Sequence, residues 1–167
     1  DRNQAKTFIY AYLYGGGDAR IGQIVGGGMS AGRDLKRQFL EKTPALRKLK
    51  AGISQAVQKR GYLKGLDGRR LPIRSEHSAL NTLLQSAGAV VVKKATVLMH
   101  RYFKQREWDV RQLAHVHDEV QFECSPDIAD SVGEGAVTAI KFAGKFFNFR
   151  CPLDGEYRIG SNWSETH

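Results

Sequence analysis

The chain has 167 residues, of which 41% are apolar and 26% are charged, as is usual for a soluble globular domain. This composition excludes a disordered tail and a collagen-like repeat, and two cysteines, Cys124 and Cys151, are too few for a disulfide scaffold. The longest apolar run without a charge, residues 83–92, is far shorter than the roughly 20 residues of a membrane span. No secretory signal is visible, so we expect a cytoplasmic location and no membrane partner.

Positive charge is concentrated in the first part of the chain. Residues 1–104 carry 20 basic and 6 acidic side chains, a net charge of +14. Residues 105–167 carry 6 basic and 11 acidic side chains, a net charge of −5. An excess that is confined to one part of the chain favours a polyanionic partner over a merely solvated surface.

The predicted elements begin with four helices. Apolar residues at helical spacing predict a helix over residues 2–14 with Asp1 as N-cap, and a short helix over 18–25 with Asp18 as N-cap. A helix over 30–41 follows, and Pro44 suits the first turn of a helix that reaches about residue 59.

From Gly61 onward the pattern changes to strands and longer helices. Asp67-Gly68 is typical of a β-hairpin turn between the segments 62–65 and 70–73. A long helix is predicted over 78–103, and a second hairpin over 113–124 has its turn at 117–119. A helix over 126–147 and a short strand near 157–159 complete an α+β fold.

One face of the first helix combines cations with aromatic rings. Arg2, Lys6, Tyr10 and Tyr14 are spaced by four residues, which places them on one face of an α-helix. Arginine and lysine pair strongly with phosphate oxygens, and tyrosine rings can stack on a base. The alternative is an amphipathic helix with a solvated basic end and tyrosines in the core.

The turn of the second hairpin carries adjacent carboxylates. His117, Asp118 and Glu119 interrupt an otherwise apolar hairpin, where neighbouring carboxylates repel each other and lose hydration. A divalent cation would relieve that cost, and Mg²⁺ is usually held by one or two carboxylates together with substrate phosphates. An ordinary polar turn is the alternative.

Two amides lie on one face of the long apolar helix. Asn81 and Gln85 are four residues apart among leucines, and both need hydrogen-bond partners. They are either satisfied core amides or donors to the minor groove, where every base pair offers an acceptor at purine N3 or pyrimidine O2.

These segments together resemble the family A, or polymerase I-like, DNA polymerases. Residues 2–15 (RNQAKTFIYAYLYG) resemble motif B, the helix of the fingers, and residues 116–120 (VHDEV) resemble motif C. Residues 66–70 and 80–89 resemble the palm segments that meet primer–template, and Asn162-Trp163 and His167 resemble the C-terminus of the family. The order matches along the whole chain, and the overall character is nearest to replicative polymerases of short-tailed bacteriophages.

The resemblance implies a fold and a division of the chain. Residues 1–60 would form helical fingers, and residues 61–167 would form the C-terminal part of a palm with antiparallel β-hairpins and a long helix. The implied reaction is the addition of dNTPs to a primer 3′ end on template DNA, by phosphoryl transfer at a site with two Mg²⁺ ions.

The resemblance also implies roles for single residues. Arg2 and Lys6 would bind the phosphates of the incoming nucleotide, with Lys6 nearest the reacting phosphate. Tyr10 would contact its sugar and base, and Tyr14 would fill the position of the templating base until the fingers close. Asp118 would be the metal ligand, with Glu119 in support. Contacts to the primer terminus and the minor groove are implied for His77, Asn81, Gln85 and His117.

One part of the family pattern is missing from the sequence. The family has a second metal-binding aspartate in motif A, a strand that precedes the fingers, and these 167 residues contain no such segment. We therefore expect a fragment, or a subunit whose partner polypeptide carries motif A. The alternative function is a nucleic-acid-binding module or assembly subunit without catalysis, which would need the basic residues but not Asp118.

Overall fold

The computed structural model describes residues 1–166, so the predicted resemblance at His167 lies outside the described residues. The helices are α1 Arg2–Leu13, α2 Asp18–Ile24, α3 Met29–Lys42, α4 Pro44–Arg60, α5 Ala79–Gln105, α6 Ala129–Phe146 and α7 Trp163–Thr166. The strands form two antiparallel hairpins, β1 Tyr62–Lys64 with β2 Arg70–Pro72, and β3 Arg111–Val116 with β4 Glu119–Glu123. Short 3₁₀ helices at Glu76–Ser78 and Pro126–Ile128 precede α5 and α6. The predicted α+β class is confirmed.

The chain divides into two compact units. The first comprises Asp1–Ala87 and the second starts at Gly88, so the division falls within α5. The sequence places its fingers–palm boundary after residue 60 instead, and that assignment stays a prediction. Each unit is described below by itself.

The first unit is organised around one face of α1. Phe8 and Tyr12 are buried and pack edge-to-face against the ring of Phe39 in α3, with centroids 5.1 and 5.2 Å apart. Ile21 of α2 is fully buried in the same cluster. The carboxylate of Asp1 accepts a hydrogen bond from the Asn3 backbone N–H at 2.6 Å, which confirms the predicted N-cap of α1.

Asp18 has a different role from the predicted one. The N-cap of α2 is Gly17, and Asp18 is the first helical residue. Its carboxylate lies 2.9 Å from Lys36 Nζ and 3.4 Å from Arg33 Nε, both in α3. These contacts, the Lys36 hydrogen bond first, hold the pKa of Asp18 below its ordinary value. The Asp18 carboxylate therefore forms ion pairs with Arg33 and Lys36 of α3 and does not cap α2.

Helices α2 and α3 approach so closely that only glycine fits at Gly32. A Cβ atom added there would lie 1.9 Å from the Asp18 carbonyl oxygen, which is backbone and cannot rotate away. We expect Gly32→Ala to lower the free energy of unfolding by about 1–3 kcal/mol, because the helices must separate. Gly52→Ala is the matched control, since nothing lies within 4 Å of its added Cβ in α4. Alanine there should stabilise by about 0.5–1 kcal/mol, and equal urea midpoints for the two variants would contradict this packing.

A second apolar cluster of the first unit supports the first hairpin. Its buried members are Ile53 of α4, Leu63 and Leu71 of the hairpin, and Ala79 and Leu80 of α5. The predicted turn is confirmed, with Gly68 at a φ of 84°. This cluster fixes the first turns of α5, which carry Asn81 and Gln85.

The second unit contains the second hairpin and α6. The β3–β4 register shifts between Gln112 and Ala114, so Leu113 is an extra, bulged residue and is 63% exposed. The predicted hairpin is therefore correct, but β3 starts two residues earlier and the turn is only His117 and Asp118.

The predicted strand near 157–159 is wrong. In the described part of the chain these residues pair with no strand. Tyr157 instead lies against α6, where its ring occupies the space that a Cβ at Gly133 would need, and its hydroxyl donates to Asp130 Oδ1 at 3.2 Å. Tyr157 thus packs against Gly133 of α6, whereas the sequence predicted that it pairs in a strand.

Among the described residues, the helical stretch Glu76–Gln105 is long and apolar enough to cross a membrane by length and composition. Only 17% of its most apolar window is buried in the protein. A single helix of this kind is weak evidence for a membrane span. Lys93 and Lys94 near its middle would each cost about 2.5–3.5 kcal/mol in a bilayer. The absence of a membrane partner stays a prediction.

Candidate functional site

The outer face of α1 presents the predicted row of cations and rings. Arg2, Lys6, Tyr10 and Tyr14 are all exposed, with Tyr10 at 50% and Tyr14 at 57%. Lys6 Nζ lies 5.8 Å from the centre of the Tyr10 ring, and the Tyr10 and Tyr14 rings stack with centroids 6.4 Å apart. The row therefore offers two cations and a pair of stacked rings to solvent along one helix face.

The row lies on the exposed face of α1, and the opposite face of the helix is buried in the core. The core positions are Phe8 and Tyr12, so the alternative that the row's tyrosines belong to the core is wrong for Tyr10 and Tyr14. Tyr10 and Tyr14 lie outside the apolar core, so their exposed rings are suited to contact a flat, aromatic ligand.

His77 contacts the end of this helix. Its Nε2 lies 2.5 Å from the Gly15 carbonyl oxygen, directly after Tyr14. Gly15 has a φ of 81°, a conformation that glycine adopts without strain, and it ends α1 sharply. His77 thus fixes the backbone beside Tyr14, a contact that spacing along the sequence did not reveal.

Asn81 and Gln85 lie on α5, one turn apart in the first unit. Asn81 is half-buried and Gln85 is exposed. Within the described residues neither side chain makes a hydrogen bond, so they are not satisfied core amides. Their donors remain available to a ligand.

The tip of the second hairpin presents Asp118. His117 and Asp118 form the two-residue turn and are both exposed. His117 has a φ of 56°, in the left-handed region that histidine visits more often than most residues. This turn directs the chain so that the carboxylate of Asp118 stands at the end of the hairpin.

Glu119 is held in a different way from Asp118. It is half-buried, and its Oε1 accepts hydrogen bonds from Trp163 Nε1 at 3.0 Å and from Gln121 Nε2. Sequence reasoning did not assign a role to Gln121, although a residue two positions along a strand shares the face of Glu119. The bond from Trp163 spans 44 positions, and no local pattern indicates it.

The carboxylates at the hairpin tip fit part of a metal site. Within residues 1–166 no group of three or more His, Cys, Asp or Glu side chains could hold a metal ion. Carboxylate oxygens are the ligands that Mg²⁺ prefers, and it commonly takes one or two of them together with substrate phosphates. Asp118, exposed next to Glu119, is consistent with such a shared site.

Comparison with known protein families shows the family to which this chain belongs. The model for DNA polymerase family A matches residues 1–165. The chain belongs to DNA polymerase family A. The predicted resemblance is thereby confirmed.

Polymerases of phages and bacteria are similar to this chain along nearly its whole length. The chain is 44% identical over 187 residues to DNA-directed DNA polymerases of Enterobacteria phage T3 and Escherichia phage T7. Each match covers 99% of this chain and 27% of the relative. DNA polymerase I of Aquifex aeolicus is 25% identical over 173 residues, with 99% of this chain and 30% of the relative covered. The chain thus spans little more than a quarter of the phage polymerases that it matches.

A solved structure shares the fold. The POL domain of Pol1 from M. smegmatis, in complex with DNA primer-template and dNTP, aligns with a TM-score of 0.77 at 22% identity. The alignment covers 85% of this chain and 27% of that one. The likeness establishes that the two chains share a fold.

Proposed function

We propose that this chain supplies the nucleotide-binding helix and one side of the metal site of a DNA-directed DNA polymerase, which adds dNTPs to a primer 3′ end. The observation that carries the proposal is the exposed row on α1, Arg2, Lys6, Tyr10 and Tyr14, in a chain of family A. We also propose that residues 1–60 act as fingers and residues 61–167 as part of the palm, in the cytoplasm of a bacterium or an infected host.

The α1 row binds the incoming nucleotide. Arg2 and Lys6 contact its phosphates, and Lys6 neutralises charge that develops on the departing pyrophosphate. Tyr10, one turn further along, contacts the sugar and base. Tyr14 occupies the position of the templating base until a nucleotide is bound, and the bond between His77 and Gly15 holds the backbone next to it.

Asp118 binds Mg²⁺ at the tip of the hairpin, with Glu119 in support. Bound at this turn, Mg²⁺ would supply Lewis-acid chemistry for the primer 3′ oxygen and would offset charge on the phosphates. The contribution of this chain is to hold hard oxygen ligands at a fixed turn, and His117 next to them contacts the primer terminus.

The amides of α5 contact the nascent base pair. Asn81 and Gln85 carry donors that no described residue uses, and the minor groove offers an acceptor at every base pair. Such contacts test the shape of a pair without reading sequence, which suits an enzyme that must copy any template. The net charge of +14 over residues 1–104 supplies the attraction to DNA phosphates.

A segment outside these 167 residues supplies motif A, either in the same polypeptide or in a partner. Leu113 and Val116 of β3 are 63% and 41% exposed, and in the described part of the chain β3 pairs with β4 alone. An open edge with exposed apolar side chains is suited to pair with another strand. The same exposed apolar edge predicts that the isolated chain has low solubility.

A chimeric polymerase tests the proposal. In this chimera, the chain replaces the segment that it matches in the polymerase of Escherichia phage T7. We expect Mg²⁺-dependent, template-directed incorporation of dNTPs on a primer–template. A chimera that folds and binds primer–template but incorporates nothing would instead favour a DNA-binding module without catalysis.

A further inference from the structure

Two neutral donors from the described part of the chain meet at one oxygen of the Glu119 carboxylate. Trp163 Nε1 donates to Glu119 Oε1 at 3.0 Å, and Gln121 Nε2 donates to the same atom. Hydrogen bonds to one oxygen limit the rotamers of a carboxylate. Because Glu119 directly follows Asp118, these donors restrain one of the two carboxylates at the hairpin tip.

The donors are themselves braced by the C-terminal helix α7. Thr166 Oγ1 lies 3.2 Å from Gln121 Oε1, so the amide nitrogen of Gln121 faces Glu119. Trp163 and Thr166 both belong to α7, and they contact alternate positions of β4, which lie on one face of the strand. Glu165 holds α7 in place, because its Oε2 accepts a hydrogen bond from the Ser161 backbone N–H at 2.7 Å.

We propose that Trp163 and Gln121 are positioning residues that hold Glu119 next to the metal ligand Asp118 and thereby set metal affinity at the hairpin tip. This inference rests on the proposed function. It makes α7 part of the support of the metal site, since Trp163 and Thr166 of α7 both contact the residues of β4 that carry this arrangement. Groups that orient metal-binding side chains typically change metal affinity or activity about 10- to 100-fold when they are removed.

The first test is Trp163→Phe in the chimera, which removes the Nε1 donor and keeps an aromatic ring. We expect the Mg²⁺ concentration for half-maximal incorporation to rise about tenfold. Mn²⁺ affinity, measured by electron paramagnetic resonance on the chimera with primer–template, should fall by a similar factor. Incorporation at saturating metal should change much less, because the reacting groups remain.

Matched variants distinguish positioning from packing. Trp108→Phe changes the other tryptophan of the second unit, which packs 5.9 Å from the Tyr102 ring, and we expect it to lower only the melting temperature. Gln121→Met removes the second donor at nearly constant length, so it tests the inference even if Trp163→Phe does not fold. Unchanged metal affinity in Trp163→Phe or, if that variant is unfolded, in Gln121→Met would overturn the inference.

A double-mutant cycle tests whether Trp163 acts through Glu119. In the background of Glu119→Gln, Trp163→Phe should have no further effect on Mn²⁺ affinity. If Trp163→Phe lowers Mn²⁺ affinity by the same factor with and without Glu119→Gln, Trp163 does not act through Glu119. The Mn²⁺ measurement does not need catalysis, so an inactive wild-type chimera refutes the proposed function while metal binding still decides this inference.

Discussion

Replacing Asp118 by Asn in the chimera should lower the rate of dNTP incorporation at least about a thousandfold. A metal site supplies several kcal/mol of stabilisation to charge in the transition state, and each 1.4 kcal/mol is worth a factor of ten in rate. The amide of asparagine keeps the size of the side chain but removes its charge. DNA affinity should hardly change, because we assign the phosphate contacts to residues 1–104, which carry a net charge of +14.

Asp109→Asn is the matched control for this variant. Asp109 is an exposed carboxylate before β3, where it lies 3.6 Å from Arg111 Nη2. The same chemical change there should leave incorporation unaltered. Incorporation by Asp118→Asn within about tenfold of the parent chimera would contradict the assignment of Asp118 as metal ligand.

Tyr10→Phe should raise discrimination against dideoxynucleotides about 10- to 100-fold. The family resemblance implies that the Tyr10 hydroxyl stands in for the 3′-OH that a dideoxynucleotide lacks, and a hydrogen bond to a charged group is worth about 1.5–3 kcal/mol. Phenylalanine keeps the ring but offers no donor. The measurement is the ratio of dNTP to ddNTP incorporation efficiency in single-nucleotide extension.

Tyr12→Phe provides the control on the same helix. Its hydroxyl is buried on the opposite face of α1 and makes no hydrogen bond within the described residues. Removing it should leave the ratio unchanged. If Tyr10→Phe also leaves the ratio unchanged, Tyr10 does not contact the nucleotide sugar.

Local patterns in the sequence predicted the elements that depend on local forces. The helical spacing of α1, its cap at Asp1 and the turn at Asp67-Gly68 all depend on residues within a few positions of one another. The exposed row on α1 follows from the same spacing, since Phe8 and Tyr12 occupy the core side.

Features that depend on distant contacts could not be predicted in this way. The bulge at Leu113 depends on how β3 registers with β4, and the ring of Tyr157 packs over Gly133 of α6 where the sequence predicted a strand. The bond from Trp163 to Glu119 joins residues 44 positions apart. Each of these contacts is set by packing between elements, which periodicity does not encode.

Mixing two polypeptides tests whether this chain needs a segment that carries motif A in order to extend a primer. Primer extension with Mg²⁺ is measured for the purified chain alone, for the remainder of the phage T7 polymerase alone, and for the two together. We predict weak DNA binding that falls steeply with salt and no extension by the chain alone, and extension only in the mixture. Robust extension by the purified chain alone would contradict the claim that it holds one side of a shared active site.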